Sequence, residues 1–274
     1  MLFRSSPEDR LAEATGLAEA IDLAVVKGLL AAGFPTNHII IWDRHADALK
    51  HAGYFELAAR FGVTVAGAAD AGFDPETFYD KALLGTLIFG DLEFGKKGDG
   101  VGRRSFVSKL VSQRMTKIIN ISPVANHNGA GVTGNLYSLA FGSVDNLGRF
   151  ESSPERLAMA VPEIYALPSL SDRVVLNISD ALICQYEGED RGLLHYSAEQ
   201  NEIRLSRDPV ALDVLALQDL DRLRRAHGQA EQPANLQLYK NAALLELGIE
   251  EIRRIELTRL DTGKHRASVN SEER

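Results

Sequence analysis

The chain has 274 residues, 45% hydrophobic and 25% charged, with a net charge of −8 at pH 7. That hydrophobic share excludes an intrinsically disordered chain, and the acidic balance, with no Lys/Arg stripe interleaved with aromatics, argues against a nucleic-acid binder. The single cysteine, Cys184, excludes an internal disulfide, a cysteine-based zinc site and a cysteine-ligated iron–sulfur cluster held by this chain alone, and leaves the cofactor and metal open. Residues 7–33 read as a helix, with Leu11, Leu17, Ile21, Ala24, Val25 and Leu29 near helical spacing and Gly33 just past the end. The strand 38–42 (HIIIW) follows and runs into Asp43. Residues 47–61 look helical and 62–66 form a short strand. Residues 67–105 have weak periodicity and contain the run GKKGDGVG, which reads as an exposed loop. A short helix over 105–114 leads to a strand at 118–121.

Leu136–Phe141 starts a helix or a return strand, and Pro154–Tyr165 is helical. The strand 174–178 ends at Asp180, and the strand 203–205 runs into Ser206-Arg207-Asp208. Pro209–Ala226 is a strong helix. Residues 240–249 form another, with a strand over 253–257 and a polar, disordered tail from Asp261. Helices alternating with short β-branched strands predict one α/β domain over residues 1–260, with a mainly parallel sheet flanked by helices. No apolar run approaches the roughly 18 residues of a membrane span. The opening MLFRSSPEDR lacks the apolar core of a signal peptide, so the expected location is cytoplasmic as written, or exported if a signal peptide lies upstream.

The densest cluster of polar chemistry is KIINISPVANHNGAGVTGNLYSLAFGSVDNLGRF, residues 117–150. A β-branched run stops at Ser122-Pro123. Asn126, His127 and Asn128 follow, then Gly129, Gly131, Thr133, Gly134 and Asn135. Glycines let backbone N–H groups approach a bound group, and the side chains supply donors and acceptors. Ligands of parallel α/β sheets lie beyond the strand carboxyl ends. Three strands run into Asp43, Asp180 and Asp208 and a fourth runs into the His127 loop, which points to one polar pocket. Arg44 stands beside Asp43, where Trp42-Asp43-Arg44 also reads as an intra-chain ion pair.

Each residue also has a structural reading. Asp208 before Pro209 is an N-cap pattern. Asp213 falls in the middle of the apolar arc of its helix, where an acid must be paired or hydrogen-bonded, either to backbone N–H groups of a neighbouring loop or within a site. His127 reads as a general base, a metal ligand or a loop residue. Asp43 and Asp180 also suit strand-end turns, and Cys184 suits the core. Residues 129–134 match G-x-G-x-x-G. However, seven residues separate the strand from the first glycine and no acid-ending strand follows at the right distance, so a dinucleotide fold is disfavoured.

Four ordered stretches carry a resemblance over roughly residues 15 to 225. They are VVKGLLAAGFPTNHIIIWDR, INISPVANHNGAGVTGNLYSLAFGSVDNLGRF, VPEIYALPSLSDRVVLNISDAL and SRDPVALD. With these the chain resembles the bacterial family called domain of unknown function 362. The resemblance implies a fold and a site more than a reaction. His127, Asn128, Thr133, Gly134, Asp43, Asp180, Asp208 and Asp213 carry over. The family pattern has a Lys where this chain has Ala125, Lys-Asn where it has Tyr137-Ser138, and a His where it has Glu151. Its opening strand, absent before residue 7, makes an N-terminal truncation the expectation.

Two functions follow. One is an enzyme acting on a small polar or anionic ligand, with His127, Asp180 and Asp213 as the catalytic groups. Asp43, Arg44, Asn126, Asn128, Gly131, Thr133, Gly134, Asn135 and Asp208 would bind that ligand. The other is a non-catalytic binding or scaffold paralogue, a pseudoenzyme that has lost its site lysines. The oligomeric state stays open.

Overall fold

The computed structural model describes residues 21–81, 103–151, 153–188, 192–230 and 232–260. The part of the expected 7–33 helix before residue 21, the GKKGDGVG run and the tail from Asp261 lie outside them. Helix α1 (residues 21–31) leads to β1 (Ile40–Asp43). Two short helices, α2 (Ala46–His51) and α3 (Tyr54–Phe61), cross over to β2 (Thr64–Gly67), which pairs parallel to β1. Val26, Ile39 and Leu57 form a small core for this unit. Next come β3 (Phe73–Asp80) and β4 (Arg104–Ser108), an antiparallel pair.

The principal sheet has the order β6-β5-β7-β8. Its strands are β5 (Ile118–His127), β6 (Gly131–Thr133), β7 (Val174–Gln185) and β8 (Ser197–Ser206). The central pair β5–β7 is parallel, whereas β5–β6 and β7–β8 are antiparallel. The sheet is therefore mixed, which corrects the expectation of a mainly parallel one, and β1 belongs to its own two-stranded sheet rather than to this one. Connection length is the cause. Only β5 and β7 are joined by a long helical crossover, through α4 (Asn135–Ser143) and α5 (Pro154–Tyr165). Short returns link β5 to β6 and β7 to β8, and short returns give antiparallel neighbours.

Helices α4 and α6 (Pro209–Ala226) lie on one face of this sheet, and α5 packs with α7 (Leu236–Leu244) beyond them. The bounds of α5 and α6 agree with the sequence reading. Ser153 and Asp208 cap them, each followed by a proline at the first position. Several expectations change. The helix over 105–114 is β4 followed by a single wide turn at Leu110–Arg114. The segment 253–257 is a short turn at Ile252–Arg254 followed by irregular extended chain. The strand at 118–121 does not stop at Ser122-Pro123 but continues to His127. Pro123 precedes the β6 pairing, so no neighbour on that edge requires its missing N–H.

Candidate functional site

Strand alternation turns Ile118, Asn120, Ser122, Val124 and Asn126 of β5 toward the helices, all of them buried. Three of these five side chains are polar, and Asn177 and Ser179 of β7 are buried with them. Buried polar groups need partners, and here they find one another. Asn120 Nδ2 donates to Asn177 Oδ1 (3.0 Å) and to the Asn135 carbonyl (2.9 Å). Ser122 donates to Asn135 Oδ1 (2.9 Å), and Asn135 Nδ2 donates to Ser179 (2.9 Å). Tyr165 OH donates to Asn177 Oδ1 at 3.1 Å.

Asp213 closes the network. Its Oδ1 accepts from the Asn135 backbone N–H (2.6 Å) and side-chain amide (3.1 Å), and Oδ2 accepts from Leu136 N–H (2.9 Å). The carboxylate therefore sits on the N-terminus of α4, where partial positive charge and unpaired N–H groups gather. Burial pushes its pKa up to about 6 against the pull of those hydrogen bonds. Gly134 makes this approach possible: a Cβ there would lie 2.2 Å from Asp213 Oδ1.

The glycine loop is the β5–β6 hairpin. Gly131 has φ +96°, a left-handed conformation suited to glycine. Helix α7 satisfies the hairpin carbonyls: Tyr239 OH donates to the Ala130 carbonyl (2.9 Å), and Asn235 Nδ2 donates to that of Gly129 (2.8 Å). His127 Nδ1 accepts from Ala130 N–H at 2.9 Å, which assigns the ring proton to Nε2 in the neutral imidazole. The His127 ring lies 4.3 Å from that of Tyr137, Tyr137 stacks on Phe141 at 5.2 Å, and the Arg44 guanidinium covers Phe141. Tyr137 OH donates to Glu151 at 3.1 Å. The cleft beside His127, lined by Asn126, Asn128, Gly131, Leu217 and Arg224, has room for roughly one water. Asn126 donates to Asn128 (2.9 Å) and accepts from the buried Arg224. Thr133 pairs with Ala125 across the hairpin.

A second polar group forms where β1 meets β7. Asp180 is in mid-strand, opposite Pro123, and accepts from Leu182 N–H (3.0 Å) beside a register shift between Ala181 and Ile183. Strand irregularities of this kind re-aim side chains and are frequent beside sites. Burial raises the Asp180 pKa. Asp22 on α1 faces Asp180 and Asp43 closely enough to feel both charges. Burial first, then those two carboxylates, raise its pKa to about 6, while the Tyr54 hydroxyl bonded to it works the other way. Asp43 is exposed and accepts from Arg44 N–H. The Arg44 side chain instead donates to the carbonyls of Phe141 (2.7 Å) and Val144 (2.6 Å) at the end of α4.

Asp43 and Asp180 thus each act on the charge of Asp22. Pro123, the partner of Asp180, precedes His127 by four residues, roughly 13 Å of strand. Asp208 caps α6 through Ala211 N–H (2.8 Å), accepts also from Ile249 N–H (2.9 Å), and lies apart from the acid group as a structural tie. Sequence reasoning missed Asp22, although it lies among Ile21, Val25, Val26 and Leu29 on an apolar arc, the same signal that singled out Asp213. It also missed Asn120 and Asn177, whose alternation reads as a solvent face. Among the described residues no three His, Cys, Asp or Glu side chains group closely enough to hold a metal ion, and no helix is long and apolar enough to cross a membrane.

Comparison with curated proteins and with solved structures gave no match. The family described as domain of unknown function (DUF362) matches residues 12–218. With its polar network, its hairpin and its acids inside that span, the chain belongs to the domain of unknown function 362 family.

Proposed function

We propose that this chain is a binding protein for a small cationic or hydroxyl-rich organic ligand, held at the acidic group of Asp22, Asp43 and Asp180. The action of Asp43 and Asp180 on the charge of Asp22 carries the reading: negative charge gathered from three elements favours a positive or hydrogen-donating guest. Their spacing, too loose for a bare metal ion among the described residues, favours a larger organic group. An anionic ligand has less support. The Arg44 guanidinium bonds backbone carbonyls, and Asp213 already occupies the α4 N-terminus that would receive an anion. The His127 ring lies against Tyr137, which stacks on Phe141, and its Nδ1 accepts from Ala130 N–H, engagements that favour a non-catalytic member over one working through His127.

The enzyme reading keeps one supporting observation: Asp180 is half-buried with a raised pKa, as suits proton transfer. Thermal shifts of the purified chain against small amines, amino sugars and polyols test the proposal. A cationic or polyhydroxylated hit should raise the melting temperature, lose its effect in Asp180→Asn and keep it in His127→Ala. A hit that survives Asp22→Asn and Asp180→Asn but is lost in His127→Ala moves the site to the hairpin.

A further inference from the structure

Strand β8 forms one margin of the principal sheet, and among the described residues no strand pairs with its outer edge. Its side chains alternate. Gln200, Glu202, Arg204 and Ser206 are half-buried on the α6 side, where Arg204 pairs with Glu202 and with Asp219 of α6. On the opposite face Glu199, Asn201, Ile203 and Leu205 are exposed, Ile203 by 44% and Leu205 by 61%. An uncovered edge, regular from Glu202 to Ser206 beyond the register shift at which Asn201 takes φ +55°, with two large apolar side chains on its open face, is a template for another strand.

We infer that β8 is the interface of a two-fold homodimer, in which two copies pair antiparallel and continue one sheet across both chains. The charge order selects the occupant and the register. A two-fold axis perpendicular to the sheet keeps each face on its own side, so residue numbers of opposed positions sum to an even number. Centring on Ile203 sets Ile203 against Ile203 of the second copy, Glu202 against Arg204 and Arg204 against Glu202, all within the regular stretch. Both charged positions of the regular stretch then meet their opposites. Centring instead on Glu202 or on Arg204 sets like charges face to face, which destabilises a cross-strand pair. The strand is thus self-complementary in one register and self-repelling in the two nearest. Ile203 at the axis gives the paired edges an apolar contact on the open face, with Leu205 extending it.

The competing occupant is the chain's own segment 255–260. It is extended and mostly exposed, and Arg259 reaches Glu202 at 2.6 Å. Its backbone makes no hydrogen bond to β8.

Sedimentation of the full chain over a range of concentrations, with three single variants, tests the inference. The wild type should approach twice the chain mass. Ile203→Lys, which puts two like charges at the axis, should raise the dimer dissociation constant by about tenfold or more. Under mild oxidation Ile203→Cys should form a covalent dimer, because the axis brings the two introduced thiols together. Leu205→Cys, two residues from the axis, should do so far more slowly. The native Cys184 is buried and adds little background. A wild type that stays monomeric at every concentration overturns the proposal. So do a dimer indifferent to Ile203→Lys, equal crosslinking at the two positions, or a monomer whose outer β8 amides resist hydrogen exchange because segment 255–260 covers them.

Discussion

Asp213 fixes where α4 begins, and three donors depend on it. An amide in its place keeps the shape but turns one oxygen into a donor, which must face either Leu136 N–H or the two Asn135 donors. Asp213→Asn should therefore lower stability by about 2–4 kcal/mol, since at least one buried donor loses its acceptor and meets another donor. Denaturant midpoints read the effect, and a change near zero would show that the network re-forms without the charge. The acid itself was legible in sequence, because a carboxylate on an apolar helical arc must have a buried partner. The partner was not. Asn120, Ser122, Asn177 and Ser179 alternate with Ile119, Ile121 and Ile178 in a pattern that, read by hydropathy, turns the isoleucines inward. The structure buries Asn120 and Ser122 instead because Asn135 satisfies them there, and Asn135 is itself held by Asp213, a pairing over 78 residues of sequence that no local pattern encodes.

At the scale of elements, the helices that begin with a capping residue and proline were read to their bounds, because caps are local chemistry. Strand lengths and sheet membership were not, because they depend on pairing. Pro123 looked like a stop but stands where no β6 partner reaches it, and Asp180 looked like a strand end but sits in a strand that runs on to Gln185. The loop glycines read as a ligand cradle lie within the packing of the hairpin and α4, and they can be ranked by what an added methyl meets. At Gly134 it meets the carboxylate of Asp213, held by three hydrogen bonds. At Gly129 it meets the Leu157 Cδ1 at 2.6 Å, the end of a flexible side chain. Gly134→Ala should thus cost about 2–4 kcal/mol, by displacing the first turn of α4 from its acceptor, and Gly129→Ala clearly less. Chemical denaturation of the two variants checks the order. Equal costs would mean that α4 slides without losing its cap.

At the scale of the whole molecule, the acid group exists only because α1, β1 and β7 meet. That juxtaposition joins the small β1–β2 unit to the principal sheet, with Trp42 packed on the main core and Arg44 bonded to the end of α4. A site held for a cationic guest should leave the empty protein less stable than it could be. Asp22 supplies the measure. Its pKa is near 6 in the folded chain against 3.8 for the free side chain. Between about pH 4 and 6 the folded state holds a proton that the unfolded state has released. The contribution of Asp22 to stability is therefore fully present below pH 4 and is lost as pH rises through 6. Asp22→Asn removes this dependence while keeping an oxygen to accept from Tyr54. The variant should match the wild type near pH 4 and exceed it by about 1–3 kcal/mol at pH 7–8. Glu202, whose pKa is lowered by the hydrogen bond from Arg204, and Asp213, whose own is raised by burial, act in both proteins, so they cancel in the difference. Denaturant titrations at four or five pH values read it directly. A difference that is flat with pH, or a variant weaker than the wild type at pH 7, would mean that neither burial nor the two carboxylates hold Asp22 against ionisation. A variant that is more stable yet no longer shifted by the amine or polyol ligand would tie the excess charge to binding.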